Sequence, residues 1–203
     1  MKRLVKRCLL GFCVVCALPA YLLYHLGCLV MPQERSFEGW SQVYALLPGI
    51  CGDWLRAGFY KLTLDHWGRD CQIQFGTILS RPSVFLHDGV SVGPFCALGN
   101  VELGANTIVG TGVQIPSGTH QHAVDRLDIP IKEQERKFAR VTIGRDCWLG
   151  SGSIVLADVG NHCVIGAGSV VAGPIPDFAI ATGVPACVVR YRNAPSPENP
   201  SPL

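Results

Sequence analysis

The sequence predicts an all-β solenoid, and three observations carry that reading. An aliphatic residue recurs every six positions at Leu86, Val92 and Leu98, then at Leu103, Val109 and Ile115, at Ile143, Leu149 and Val155, and at Ile165 and Val171. The fifth place of each hexad is small or β-branched: Val90, Cys96, Thr107, Val113, Thr119, Cys147, Ser153, Cys163 and Ser169. Gly follows the aliphatic at Gly93, Gly99, Gly104, Gly110, Gly144, Gly150 and Gly166, where it is expected to permit unusual backbone angles. A fixed short period signifies a chain coiled and stacked on itself. One short rung cannot bury its apolar side alone, whereas stacked rungs share a core.

The elements ahead of the coil are of another kind. Residues 8–30 contain no Asp, Glu, Lys or Arg. As a helix, this stretch is long enough to cross a hydrocarbon core of about 30 Å. Lys2, Arg3, Lys6 and Arg7 precede it and would hold the N-terminus on the cytoplasmic side. Pro19 offers two outcomes, a single span or a re-entrant hairpin broken at the proline. A clear A-x-A cleavage site is absent from the stretch, which favours membrane retention over a cleaved signal. Residues 36–70 mix apolar residues with Trp54, Tyr60, Arg56 and Lys61, while Pro48, Gly49 and Gly52 interrupt any long helix. That composition suits either an amphipathic linker at the membrane interface or a short helix pair on the end of the solenoid.

The repeat begins near Cys71 and carries two short steps, from Leu98 to Leu103 and from Val155 to Ile165. Both predict compressed corners with the coil intact, and His162 falls in the second. A larger gap separates Ile115 from Ile143; its charged middle predicts a loop at residues 120–140 thrown out of the solenoid, the kind of excursion that carries function. The expected division is residues 1–35, membrane segment; 36–70, linker; 71–193, coil; and 194–203, a Pro-rich disordered tail.

Composition limits the partners. Net charge is +2, with four positive charges in the first seven residues, which argues against nucleic acid. None of the ten Cys form a legible disulfide framework, and free thiols suit a reducing compartment. Cys96, Cys147 and Cys163 sit in the small-residue slot, where packing suffices to explain them.

The stretches VTIGRDCWLGSGSIVL and VIGAGSVVAGPIPDFAIATGVPACVVR resemble the hexapeptide-repeat acyltransferases, specifically the branch of galactoside, maltose and nodulation-factor O-acetyltransferases. The resemblance covers residues 71–192. It implies a left-handed parallel β-helix, a handedness that hexad spacing alone does not give. It also implies a homotrimer, acetyl-CoA as co-substrate with no further cofactor and no metal, and a His at the start of the protruding loop as general base. His120, at the end of the hexad that starts at Ile115, matches that position. A hydroxyl is a weak nucleophile near neutral pH, and an imidazole can take its proton as it attacks a thioester. The same resemblance places oxyanion stabilisation at Ser151, after Trp148 and Gly150, and backbone contacts to the pantetheine arm at Ala167 and Gly168. Arg190 matches a basic residue near the CoA phosphates. Gly173 and Cys187 stand where the family commonly has cations, so either Arg192 and Arg140 compensate or CoA binds more weakly. Asn100 and Asp88 are candidates for orienting His120 or holding the acceptor, and His122 is a further acceptor candidate.

The expected activity is therefore O-acetyl transfer to a sugar hydroxyl, with the membrane segment suggesting a surface-polysaccharide or lipid-linked acceptor and a catalytic domain on the cytoplasmic face. Two other classes remain open. A metal enzyme like the γ-type carbonic anhydrases would need three His ligands, of which His120 and His122 supply two, with His87 or His162 as a third. A non-catalytic hexapeptide scaffold would retain the coil alone.

Overall fold

The computed structural model describes residues 2–119 and 121–194. His120 and the tail from residue 195 onward lie outside the described residues. Three helices, α1 (Lys2–Gly27), α2 (Gln33–Ala45) and α3 (Gly49–Thr63), precede a parallel β-helix.

Helix α1 runs unbroken through Pro19, so the hairpin turn considered at that proline does not form. A mid-helix proline forfeits one hydrogen bond and bends the helix. A turn inside an apolar stretch would leave several backbone groups unpaired, which costs more. Leu4–Gly27 is long and apolar enough to cross a membrane by length and composition. One stripe of α1, formed by Cys13, Ala17, Ala20 and Tyr24, is buried. Small residues there allow close approach: a Cβ on Gly58 of α3 would lie 2.6 Å from the Cys13 backbone. The remaining surface exposes Phe12, Val15, Leu18, Leu22, Leu23 and Leu26.

Helices α2 and α3 cap the coil and pack on α1. Phe37, Tyr44, Phe59 and Tyr60 form a buried aromatic cluster, with the Tyr44 and Phe59 rings stacked at 4.4 Å. The Ser41 hydroxyl ties this layer to the coil, sharing a 2.8 Å hydrogen bond with the Tyr60 hydroxyl and accepting one from the Leu79 N–H. Arg56 is fully buried and donates to the carbonyls of Ile73 at 2.9 Å, Tyr44 at 3.1 Å and Leu47 at 2.5 Å, and to the Asp53 carboxylate. One guanidinium thus fastens both helices to the first coil.

The coil is a left-handed parallel β-helix with three sheets. The first sheet stacks His66–Trp67, Phe85–Leu86, Val101–Leu103 and Val141–Ile143. The coil therefore opens at His66, ahead of Cys71. The second sheet runs from Gln72–Ile73 through Trp148–Leu149 to Ala179–Thr182 and ends on Cys187–Tyr191, which pairs antiparallel. The third runs from Ile78–Leu79 to Val170–Val171. The periodic aliphatic residues all point inward and are at most 2% exposed. Each such burial contributes about 1.5–3 kcal/mol relative to an exposed side chain.

The hexads stay regular through the corners joining the first sheet to the second and the second to the third. Every irregular step falls at the third corner, which returns the chain to the first sheet. From Leu79 to Leu86 it takes seven residues, from Leu98 to Leu103 five, and from Ile115 to Ile143 the whole loop. From Val155 to Val159 and from Val171 to Ile175 it takes four, with Ile143, Val159 and Ile175 still bridged in parallel. The compressed corners keep the coil intact. His162 is not in one of them: the shortening ends at Val159, and His162 occupies the next, regular corner. There its Nδ1 lies 2.9 Å from the Asp146 carboxylate and its ring stacks on Phe178.

The glycine expectation needs correcting. The left-handed backbone position is two residues beyond the glycine that follows the aliphatic, as at Gly152 with φ +69°. Gly150 serves close approach instead, because a Cβ there would stand 2.5 Å from the Ala167 nitrogen of the next coil. The thiols in the small-residue slot also do more than pack. Cys96, Cys147 and Cys163 donate to the carbonyls of Gly110, Gly160 and Pro176 at 3.0–3.1 Å, satisfying buried acceptors.

Candidate functional site

The loop leaves the third corner after Thr119 and forms a narrow ribbon. Ala123 N–H donates to Glu135, Lys137 N–H donates to Gln121, and His122 bridges Arg136. Gln134, buried at the tip, donates to the carbonyls of Arg126 and Ile129 and accepts from the Arg126 N–H. The returning strand is clamped by two cation–π contacts: Arg81 lies 3.9 Å from the Phe138 ring centre, and Arg140 lies 4.3 Å from that of Phe85.

Asn100 sits one coil below the loop, at the same corner. Its N–H donates to Ser117 at 2.9 Å, its amide nitrogen to the Phe138 carbonyl at 3.4 Å, and its amide oxygen faces Ser83 at 3.2 Å and Arg140 at 3.4 Å. Asn100 thus touches both ends of the loop base. Asp88 is elsewhere, on the first corner, paired with Arg69, whose hydrogen bonds hold its carboxyl below the usual carboxylate range. His122 is exposed on the ribbon.

A cleft of about 340 Å³ opens at the loop base, lined by Gly118, Thr119, Lys137, Arg140, Ala157 and Asp158 among others. Lys137 belongs to the charged stretch between Ile115 and Ile143, whereas Ala157 and Asp158 carry no motif of their own. Their signal was the four-residue step after Val155, which brings this stretch under the loop. The Asp158 carboxylate is anchored by the Thr142 N–H at 2.7 Å.

Ser151, Ala167 and Gly168 come together on a different corner, between the second and third sheets. Ser151 and Ala167 occupy equivalent places one coil apart, with the Gly168 N–H donating to the Ser151 carbonyl at 2.9 Å. Among the described residues, the Ser151 N–H and both backbone polar groups of Ala167 have no hydrogen-bond partner. Gly150 is buried beneath them and Trp148 is 49% exposed on the outer face of the second sheet, in register with Ile108 and Val164. Arg190 extends the same sheet, opposite Ile180. Arg192 does not join them: it donates to Asp146 and to the His162 carbonyl at the first corner. Arg140 is likewise engaged at the loop base. Both cations thus already have partners within this chain. One chain thus presents two separate groups, Asn100 with the loop mouth on the third corner and Ser151 with Ala167 on the second.

Among the described residues, no three His, Cys, Asp or Glu side chains gather as a metal-ligand set. His87 lies 2.9 Å from Glu102 and His162 pairs with Asp146, each apart from the loop ribbon.

Comparison with known proteins places this arrangement. The family described as bacterial transferase hexapeptide (six repeats) matches residues 140–173. A probable acetyltransferase of Mycobacterium tuberculosis is 36% identical over 106 residues, 45% of this chain and 35% of that protein. The chain thus spans about a third of the length of the curated relative it matches. A maltose O-acetyltransferase from Clostridium difficile 630 superposes with a TM-score of 0.65 at 19% identity, covering 79% of this chain and 89% of that one. A hexapeptide-repeat acetyltransferase from Vibrio cholerae, complexed with acetyl coenzyme A, superposes at 0.52 with 18% identity over 79% and 88% of the two chains. At these identities the superpositions speak for the fold, and the repeat match speaks for the sequence that builds it. Taken with the six-residue pitch and the inward aliphatic ladder, they show that residues 140–173 carry the bacterial-transferase hexapeptide repeat and that the chain shares the fold of these acetyltransferases.

Proposed function

We propose that this chain is an acyl-CoA-dependent O-acetyltransferase that acylates a sugar hydroxyl, with acetyl-CoA as co-substrate and His120 as general base. The observation that carries the reading is the loop mouth. In sequence His120 stands between Thr119, which lines the cleft, and Gln121, which opens the ribbon, and Asn100 ties both ends of that loop base. An acceptor hydroxyl in this cleft would meet an imidazole able to take its proton. The unpartnered N–H of Ser151 is the kind of fixed donor that stabilises the oxyanion of a thioester under attack. The free N–H and C=O of Ala167 suit the amides of a pantetheine arm. Arg190 is the cation nearest in role to the CoA phosphates, and Trp148 offers an apolar surface beside them.

The two groups lie on different corners, so the reaction requires the loop mouth of one solenoid to face the Ser151 corner of another. A homotrimer with threefold closure supplies that pairing. It would also cover the exposed Ile108 and Trp148, together with Leu127 at the loop tip. Helix α1 would hold the trimer at the cytoplasmic membrane, where acetyl-CoA is available and a lipid-linked or surface-polysaccharide intermediate can be reached. The likeness to a maltose O-acetyltransferase and to an acetyl-CoA-bound acetyltransferase supports the donor and the acceptor class.

The test is thiol release from acetyl-CoA by the full-length protein against a panel of soluble and lipid-linked sugars. His120→Ala should lower kcat by about 10²–10⁴ while leaving oligomeric state and melting temperature unchanged. Full activity of that variant on the true acceptor would refute the general-base assignment.

A further inference from the structure

A second, larger cleft of about 890 Å³ opens where the first turns of α1 meet α3 and the first coils. It lies on the first corner, away from the loop mouth. Lys6 and Arg7 of α1, Trp54 and Lys61 of α3, and Trp67 and Arg69 of the first coil line it. Three carboxylates face the same space, and each already holds a cation. Asp70 pairs with Lys6 at 3.4 Å, Asp88 with Arg69, and Asp53 with the buried Arg56. Among the described residues, Arg7 and Lys61 have no carboxylate within ion-pair distance, so the cleft keeps surplus positive charge. Leu10 completes the wall on the α1 side. Beyond Leu10, Val14, Leu18 and Leu22 follow at four-residue steps along one ridge of α1, with Leu18 and Leu22 exposed.

We infer that this cleft holds the phosphate head group of an anionic membrane lipid whose acyl chains lie along the outward face of α1. The inference rests on α1 being a membrane helix and is independent of the acyl-transfer reading. A guanidinium engages phosphate oxygens in a fork and a lysine adds a point charge, which is the pairing Arg7 and Lys61 leave open. Tryptophans with a basic cluster at the end of an apolar helix mark the depth at which head groups lie. A soluble phosphate ester would share the anionic contacts but would make no use of Leu10 or the apolar face that continues from it. The cleft thus joins the two halves of one amphiphile: a cationic pocket at the interface and an apolar track into the bilayer.

Retention of radiolabelled dioleoyl phosphatidic acid from dodecyl maltoside micelles by the immobilised full-length protein tests this, with dioleoylglycerol and free glycerol 3-phosphate as separate arms. Saturable retention of phosphatidic acid is expected, with no retention of dioleoylglycerol and no displacement by equimolar glycerol 3-phosphate. The double variant Arg7→Gln/Lys61→Gln should bind phosphatidic acid about tenfold or more weakly, and Arg7→Lys/Lys61→Arg should recover most of the affinity. An unchanged melting temperature in both variants certifies that the fold survives. Equal retention of dioleoylglycerol, displacement by glycerol 3-phosphate, or indifference to the double charge removal would each overturn the inference. Flotation with neutral phosphatidylcholine vesicles separates the premises. A protein that does not float refutes the membrane helix and the lipid site with it. A protein that floats without preferring phosphatidic acid refutes the lipid site alone.

Discussion

At the scale of single residues, Ser151 shows how side chain and backbone roles can be parted. Its N–H is unpartnered among the described residues, while its carbonyl is spent on the Gly168 N–H of the next coil. If the N–H is the oxyanion donor, the hydroxyl is dispensable and Ser151→Ala should keep most of kcat. Ser151→Pro removes the donor and should cost about 10²–10³ in kcat, as loss of one oxyanion donor does elsewhere. Steady-state kinetics with acetyl-CoA distinguishes the two, and a large loss in Ser151→Ala would move the role to the side chain. Gly150, one residue earlier, was legible in the sequence as a required glycine but not for the right reason. Periodicity reveals that a small residue recurs; it cannot distinguish a left-handed backbone from a neighbouring coil 2.5 Å away. Asn100 and Asp88 were indistinguishable in the sequence for a related reason. The irregular step at the third corner erased the register, and only the coil's stacking assigns Asn100 to the loop base and Asp88 to Arg69.

At the scale of elements, the buried Arg56 is the fastening between helices and coil. Arg56→Met fills similar volume but leaves the carbonyls of Ile73, Tyr44 and Leu47 without their donor and Asp53 without its counter-charge. Asp53 is partly exposed and can be solvated, but each buried carbonyl left without a donor costs about 1–3 kcal/mol, so the variant should melt markedly lower, or lose α2 and α3 from the cooperative unit, in detergent-solubilised calorimetry. In the sequence, an arginine among Trp54, Tyr60 and Lys61 suited a wet interface equally well, because composition does not say which cation finds three carbonyls. The thiols give a pH signature at this scale. Burial pushes Cys71 and Cys147 from 9.0 to about 11, and Tyr60 from 10.0 to about 12. In each case the folded state holds its proton more tightly than the unfolded chain does. The thiol contribution is therefore fully present below pH 9 and is lost as pH rises toward 11, whereas that of Tyr60 is present below pH 10 and is lost toward 12. The melting temperature should stay level up to about pH 9 and fall above it, and Cys71→Ala/Cys147→Ala should fall less steeply relative to its own value at pH 8.

At the scale of the whole molecule, the period of six was legible because two of the three corners never depart from it, and those corners carry the inward aliphatic ladder. All variation in length is confined to the third corner, and there the loop departs. The fold could thus be read from the regular part; the helical cap was one of two readings the composition left open, and the cleft under the loop could not be read, since it depends on which irregular segments meet in space. The same geometry makes a prediction about assembly. The loop that begins after Thr119 leaves one corner and Ser151 lies on another, so with the proposed roles a complete site in a threefold ring would take one group from each of two neighbours. Co-expressing His120→Ala chains with Ser151→Pro chains should then restore activity, although each variant is inactive alone. In every trimer that holds both kinds of chain, one interface in about three combines an intact His120 from one chain with an intact Ser151 from the next, whichever chain is in the majority. Recovery near that fraction of the wild-type kcat, measured on trimers purified by two different affinity tags, would establish a shared site. If both groups acted within one chain, no mixed trimer could recover activity, because every chain would lack one of them.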